Sequence, residues 1–177
     1  DGGWLALADR AQVALLLPEQ KGLPNYFHDL YVFPWVVAWF GANNQNACFN
    51  WFEPEDTARD RGEALSIREM IDAMIQRHGL NRSQVNIVGH SAGGAMANVL
   101  LAVYPERFAA GAIVAGIAYG CADTASRALQ CMQPGINLDP AAWRARVQAA
   151  GSAARLPRIS IWQGDADTVV APVNARE

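Results

Sequence analysis

Residues 85–94 read Val-Asn-Ile-Val-Gly-His-Ser-Ala-Gly-Gly: an apolar run that passes through Gly89-His90-Ser91-Ala92-Gly93 into a stretch of small residues. A G-x-S-x-G turn between a strand and a helix is the sharp bend that lifts a serine hydroxyl out of the rim of an α/β sheet. It constrains this chain more than any other feature, because the bend needs a buried strand before it and a helix behind it. The tightness of the turn predicts that Gly89 and Gly93, two residues to either side, have no room for a side chain. The helix beyond would turn its unpaired N–H groups and positive dipole end toward Ser91, with the Ala92 N–H as one donor to an oxyanion formed there. Ser91 is therefore the expected nucleophile. Five residues of this pattern also arise by chance in ordinary turns, so the weight rests on the strand and helix around them.

The rest of the chain supplies the context the bend needs. Residues 4–10 read as a short helical stretch, and Val13-Ala14-Leu15-Leu16-Leu17, closed by Pro18, as a strand buried on both faces. Ile67, Met70, Ile71, Met74 and Ile75 recur at helical spacing over residues 62–78, with Gly79 placed to stop that helix in a left-handed conformation. Residues 85–88, 111–115 and 159–162 read as further strands. Residues 92–104 read as a helix ended by Pro105, and Asp139-Pro140 as the cap and first turn of another, running to about residue 150. Strands alternating with helices of this length are joined by crossovers. The expected fold is thus α/β, a mostly parallel sheet of the α/β-hydrolase type with helices on both faces. Ligands gather at the carboxyl ends of such strands. Ser91 leaves one of those ends, and the loop Gly164-Asp165-Ala166-Asp167 leaves another.

Composition narrows the class. A chain of 177 residues, 51% of them apolar, fits one domain with a real core. Fourteen basic against 17 acidic residues, with no Lys/Arg run, argue against nucleic acid as a partner. No apolar run reaches the roughly 18 residues a membrane span requires. The chain opens abruptly on Asp1-Gly2-Gly3, without an initiator Met or a cleavable signal, and reads as a piece of something longer. The cysteines Cys48, Cys121 and Cys131 are odd in number. Cys121 and Cys131 bracket a loop of polar and small residues, which suits a local disulfide in an oxidising compartment; three buried thiols fit the spacing equally well. No C-x-x-C occurs and the three His are scattered, so neither a metal nor a cofactor is called for.

A serine hydroxyl needs a His to take its proton and a carboxylate to hold that His. Asp167 is the expected carboxylate: it lies just beyond a strand and follows Ser91 in the chain order of such hydrolases, with Asp165 as the lesser candidate and a simple turn as the plainer reading. No His follows it within residues 168–177. His90 adjoins Ser91 but should project away from its hydroxyl, His78 closes a helix at its far end, and His28 lies in an unusual segment.

Leu17-Pro18-Glu19-Gln20, Asn46-Ala47-Cys48-Phe49-Asn50-Trp51-Phe52, Gly-His-Ser-Ala-Gly-Gly with Met96-Ala97 after it, Gly120-Cys121 with Cys131-Met132, and residues 162–170 (Trp-Gln-Gly-Asp-Ala-Asp-Thr-Val-Val) together carry a resemblance. The chain resembles the poly(3-hydroxybutyrate) depolymerase-like esterases of the α/β-hydrolase superfamily, whose relatives include feruloyl and acetylxylan esterases. The resemblance covers nearly the whole chain. It implies Ser91 as nucleophile, Asp167 as triad acid and Ala92 as oxyanion donor, with His90 and Trp51 and its neighbours beside the substrate. It further implies a catalytic His beyond Glu177, and a partner for Cys48 in a His-Gly-Cys type loop ahead of residue 1. Residues 21–42 depart from the pattern as an apolar insertion containing Tyr31-Val32-Phe33-Pro34-Trp35. This is an aromatic flap for a polymer surface, a buried element, or a stretch without function.

The activity the resemblance implies is hydrolysis of a short-chain polyhydroxyalkanoate or its oligomers through an acyl-enzyme, by a secreted protein whose partner is a polyester or small ester. A feruloyl or acetyl ester on plant polysaccharide is the alternative substrate, and a peptidase of the same fold has less support. A hydrolase-like binding domain without its base is the non-enzymatic alternative.

Overall fold

A computed structural model of the protein describes residues 2–21, 44, 46–151 and 155–176. Helix α1 (Trp4–Ala11) opens it and stops at Gln12, which takes a left-handed φ of 53°. Residues 13–17, expected as a buried strand, join no sheet among the described residues, and Val13 and Leu17 are 57% and 62% exposed. An apolar run carries no period of its own, so it becomes a strand only where a neighbour offers a ladder. The apolar insertion at residues 21–42 lies, from residue 22 onward, outside the described residues.

After the single turn α2 (Pro54–Thr57), helix α3 (Gly62–His78) buries Ala64, Ile67 and Ile75 and ends at Gly79 with φ 61°, where the Gly79 N–H reaches back to the Ile75 carbonyl. The expected left-handed stop is present.

Strand β1 (Asn86–His90) feeds helix α4 (Ala92–Val103), which is apolar apart from Asn98, whose amide donates to the Ile117 carbonyl at 2.9 Å. Such a helix must be buried on every side. Residues Gly94 to Ala97 and Val99 to Val103 are buried, and Met96, Leu100, Val103 and Tyr104 at its end are at most 1% exposed. Strand β2 (Ala110–Val114), helix α5 (Ala125–Met132), helix α6 (Pro140–Ala150) and strand β3 (Arg158–Trp162) follow. The strands form one parallel sheet in the order β1-β2-β3, with His90, Val114 and Trp162 in register at one end. Helix α4 lies across β1 and β2, and α3 and α6 pack against α4. Gly111 lets this happen, because a Cβ there would sit 2.6 Å from a Leu101 methyl. On the other side of β1, Val88 is 48% exposed among the described residues.

Caps fix the remaining helices. The Asp139 carboxylate accepts the Ala141 N–H at 2.7 Å ahead of Pro140, as expected. Where the sequence between Cys121 and Cys131 reads as a loop, the structure has helix α5. It is a two-turn helix capped by the Thr124 hydroxyl, which accepts the Arg127 N–H at 3.3 Å, and it buries Ala128 and Cys131 one turn apart. Cys121 and Cys131 are joined in a disulfide, which decides between the two cysteine readings. Cys48 is a free, exposed thiol and not a buried one. No helix among the described residues is long and apolar enough to cross a membrane.

Candidate active site

Ser91 stands between the last residue of β1 and the first of α4 with φ 54° and ψ −123°, a conformation L-residues rarely adopt. The surroundings over-determine it. The Ser91 N–H donates to the Val114 carbonyl at 2.9 Å, continuing the β1–β2 ladder, while its own carbonyl accepts the Ala95 N–H at 2.9 Å as the first bond of α4. Ser91 is half-buried, and so is Ala92, whose N–H belongs to the group a helix start leaves without an intrahelical acceptor.

The glycines of the bend divide unequally. A Cβ at Gly89 would lie 2.1 Å from the Gly93 carbonyl oxygen, an impossible approach between two stretches of backbone. Gly93, expected to be equally crowded, has no atom within 4 Å of an added Cβ among the described residues. The crowding falls instead on Gly94, whose Cβ would meet the Val114 oxygen at 3.0 Å, and on Gly116, whose Cβ would meet the Ile113 side chain at 2.4 Å and the Gly94 carbonyl carbon at 3.0 Å. The first turn of α4 thus rests on the sheet through bare backbone. Gly89→Ala is expected to destabilise the fold by about 3 kcal/mol or more in urea titrations, because no rotamer can relieve a backbone clash. Gly93→Ala in the same titration should change stability by well under 1 kcal/mol.

The loop that carries Asp167 leaves the same end of the sheet from β3, with β2 between it and β1. The Ala115 N–H donates to the Trp162 carbonyl at 2.8 Å, so the ladder runs to the last residue of β3, and Gln163 begins the loop. Within it, Asp167 Oδ1 accepts the N–H groups of Val169 and Val170 at 2.8 and 2.9 Å, and Oδ2 accepts the Gln163 side-chain amide at 3.0 Å. None of these bonds goes to Asp165, which is exposed. The Val170 and Val169 N–H groups, aided by the Gln163 amide, hold the Asp167 carboxyl below the usual carboxylate range. His90, Val114 and Trp162 are in register, so Ser91 and the loop that carries Asp167 leave the same edge of the sheet, and His90 there is exposed.

The end of the Asp167 loop is pinned below the rim. Val170 and Ala171 are buried, the Ala171 N–H donates to the Met132 carbonyl at 2.8 Å, and the buried Asn174 amide donates to the carbonyls of Cys131 and Ala171, each at 3.0 Å. The loop is therefore anchored to the C-terminal turn of α5, beside the disulfide.

Trp51 is 8% exposed and packs into the core, with the half-exposed Phe52 edge-on to it at 5.4 Å. Its loop is held by polar groups that the sequence did not single out. The buried Glu63 accepts the Asn50 N–H at 2.8 Å and the side-chain amide of Gln20, while the Asn50 amide donates to Asp56 at 2.9 Å. Gln163 is the other residue the sequence reading passed over, although it lies inside the stretch that carries the resemblance.

A sequence model described as "Esterase PHB depolymerase" matches residues 4–177. The chain belongs to that family. The esterase PHB depolymerase assignment is joined by likeness to curated relatives. The chain is 40% identical to the poly(3-hydroxyalkanoate) depolymerase C of Paucimonas lemoignei over 177 residues, 99% of this chain and 38% of that protein. It is 33% identical to a feruloyl esterase B of Neurospora crassa over 163 residues, 88% of this chain and 55% of the relative. Among solved structures it is similar to the acetyl xylan esterase from Aspergillus awamori, with a TM-score of 0.70 and 28% identity over 75% of this chain and 52% of that one. The chain thus spans from 38% to 55% of the length of these relatives. The α/β-hydrolase type of fold expected from the bend at Ser91 is borne out by this likeness and by the parallel sheet.

Proposed function

We propose that the protein is a serine esterase that cleaves ester bonds of short-chain polyhydroxyalkanoate or its oligomers through an acyl-enzyme. The observation that carries the chemistry is the strained Ser91 at the head of α4, at the same end of the sheet as a loop, two strands away, that holds Asp167 ionised. Ser91 Oγ attacks the ester carbonyl as its proton passes to an imidazole base, and the Ala92 N–H stabilises the oxyanion. The carbonyl–alkoxy bond breaks, and the alcohol leaves with the proton from the base. Water then repeats the sequence on the acyl-serine, releasing the acid and restoring Ser91. Asp167 holds the imidazole in the tautomer that accepts the Ser91 proton, and a His outside residues 1–177 supplies that imidazole. No metal or cofactor is needed at any step.

The 40% identity to a poly(3-hydroxyalkanoate) depolymerase along almost the whole chain supports the choice of substrate. The substrate-side contacts are assigned to Ala92 and His90 at the rim, with Trp51 as a rigid wall behind Phe52. The Cys121–Cys131 disulfide supports action outside the cell, where such bonds persist. A second reading, a feruloyl or acetyl ester of plant polysaccharide, is favoured by the likeness to feruloyl and acetyl xylan esterases.

Hydrolysis of 3-hydroxybutyrate oligomers and of methyl ferulate by the full-length protein, compared by kcat/KM, separates the two. The oligomers are expected to be preferred by at least about tenfold, a difference of about 1.4 kcal/mol in transition-state binding. The reverse order would give the site to the phenolic ester, and no hydrolysis of either would leave a hydrolase-like binding domain.

A further inference from the structure

We propose that Gln163 is a positioning residue for Asp167: its side-chain amide fixes which carboxylate lone pair is left to receive the imidazole N–H. The inference rests on the esterase reading and deepens it.

The argument is one of hydrogen-bonding capacity. Each carboxylate oxygen accepts about two hydrogen bonds. Asp167 Oδ1 already has two, from Val169 and Val170, so a third partner must use Oδ2. There the Gln163 Nε2–H takes one side at 3.0 Å, which leaves a single open direction. The second proton of the same amide is donated to the Val170 carbonyl at 2.9 Å. Both protons are thereby used, and the amide cannot be turned over without setting its oxygen against Asp167 and the Val170 carbonyl. Gln163 follows the last residue of β3, whose carbonyl is tied to Ala115, and Val170 is buried. The amide is therefore a strut between the sheet and both ends of the loop that presents the acid.

A neutral amide suits this place. It donates to the carboxylate without competing for the imidazole N–H, as a carboxylic acid would, and without holding Asp167 in a full ion pair, as a basic residue would.

The test uses the full-length protein and a soluble ester. Gln163→Met keeps the length of the side chain and removes both donors. It should lower kcat by about 10- to 100-fold with KM changed less than about threefold, because the loss lies in the alignment of the base and not in substrate binding. Gln163→Glu should be worse at pH 8, where two carboxylates face each other. Its activity relative to the parent should rise as pH falls toward 5 and the introduced carboxyl gains a proton to donate. In an Asp167→Ala background, Gln163→Met should cause no further loss, since a residue acting through Asp167 has nothing left to position. A kcat within twofold of the parent for Gln163→Met, a pH-independent ratio for Gln163→Glu, or a full additional loss in the Asp167→Ala background would each overturn the assignment. If Gln163→Met does not fold, the Gln163→Glu ratio decides. Ser91→Ala run alongside keeps the two failures apart: activity surviving in that variant sinks the esterase reading itself, whatever Gln163 does.

Discussion

Ser91→Ala in the full-length protein is expected to lower kcat for ester hydrolysis by on the order of a millionfold, the loss seen when the nucleophile of a comparable triad is removed. The oxyanion donor and the binding surface remain, so a small rate above that of water should persist. The fold should not suffer. Alanine at φ 54° is as strained as serine, and the bonds that hold this bend are made by the backbone N–H and carbonyl of residue 91, not by its hydroxyl. The melting temperature of the variant should therefore lie within a few degrees of the parent. A variant that keeps more than about a hundredth of the activity at an unchanged melting temperature would move the nucleophile elsewhere.

The second large effect is at Asp167. Asp167→Asn is expected to lower kcat by about ten-thousandfold, the cost of presenting the base in the wrong tautomer. The local hydrogen bonds explain why the amide cannot substitute. Its oxygen would stay with the N–H groups of Val169 and Val170, which turns its NH2 toward the Gln163 amide and the incoming imidazole N–H, donor against donor. The pH dependence has a definite sign. The Val170 and Val169 N–H groups depress the pKa of Asp167 in the folded protein. Its contribution to stability is thus present above the unfolded value of about 3.9 and is lost as pH falls through the lower folded value. Throughout the range in which a His titrates, near pH 6.5, Asp167 is ionised, so the acid limb of the kcat/KM profile belongs to the imidazole base. The stability gap between parent and Asp167→Asn should accordingly narrow below about pH 4 in urea titrations. An acid limb near pH 4 in the parent would contradict this assignment.

Much of the molecule was legible in the sequence because it is governed by short-range periodicity. Helices α3 and α6 carry their caps or stops within a few residues, α4 is a contiguous run of small and apolar residues, and β2 and β3 fall within a residue of their expected ends, while β1 runs two residues past its expected end to His90. Ser91 was legible for the same reason, since the bend and both of its flanking elements are contiguous. What escaped depends on partners distant in the chain. The run at residues 13–17 has strand composition, yet pairing is a property of a neighbour. Helix α5 is short and mostly polar, and the signals that betray it are the Thr124 cap and the burial of Ala128 and Cys131 on one side. Glu63 reads as an ordinary acid in the first turn of a helix, but it is buried against Gln20 and Asn50, 43 and 13 residues earlier in the chain. The bond from Gln163 to Asp167 closes only when the loop folds back on itself. The mistaken expectation for Gly93 has the same origin: the spacing of the motif marks a tight place without saying which atoms crowd which.

The bare contact at Gly89, Gly94 and Gly116 bears on how this scaffold could be altered. Because main chain there meets main chain, any added atom shifts the start of α4 and the hydroxyl it carries, so a mutagenesis library would find only losses at those three positions. Variation aimed at a new ester preference belongs at Gly93, where an added side chain meets no atom among the described residues and the frame beneath stays still.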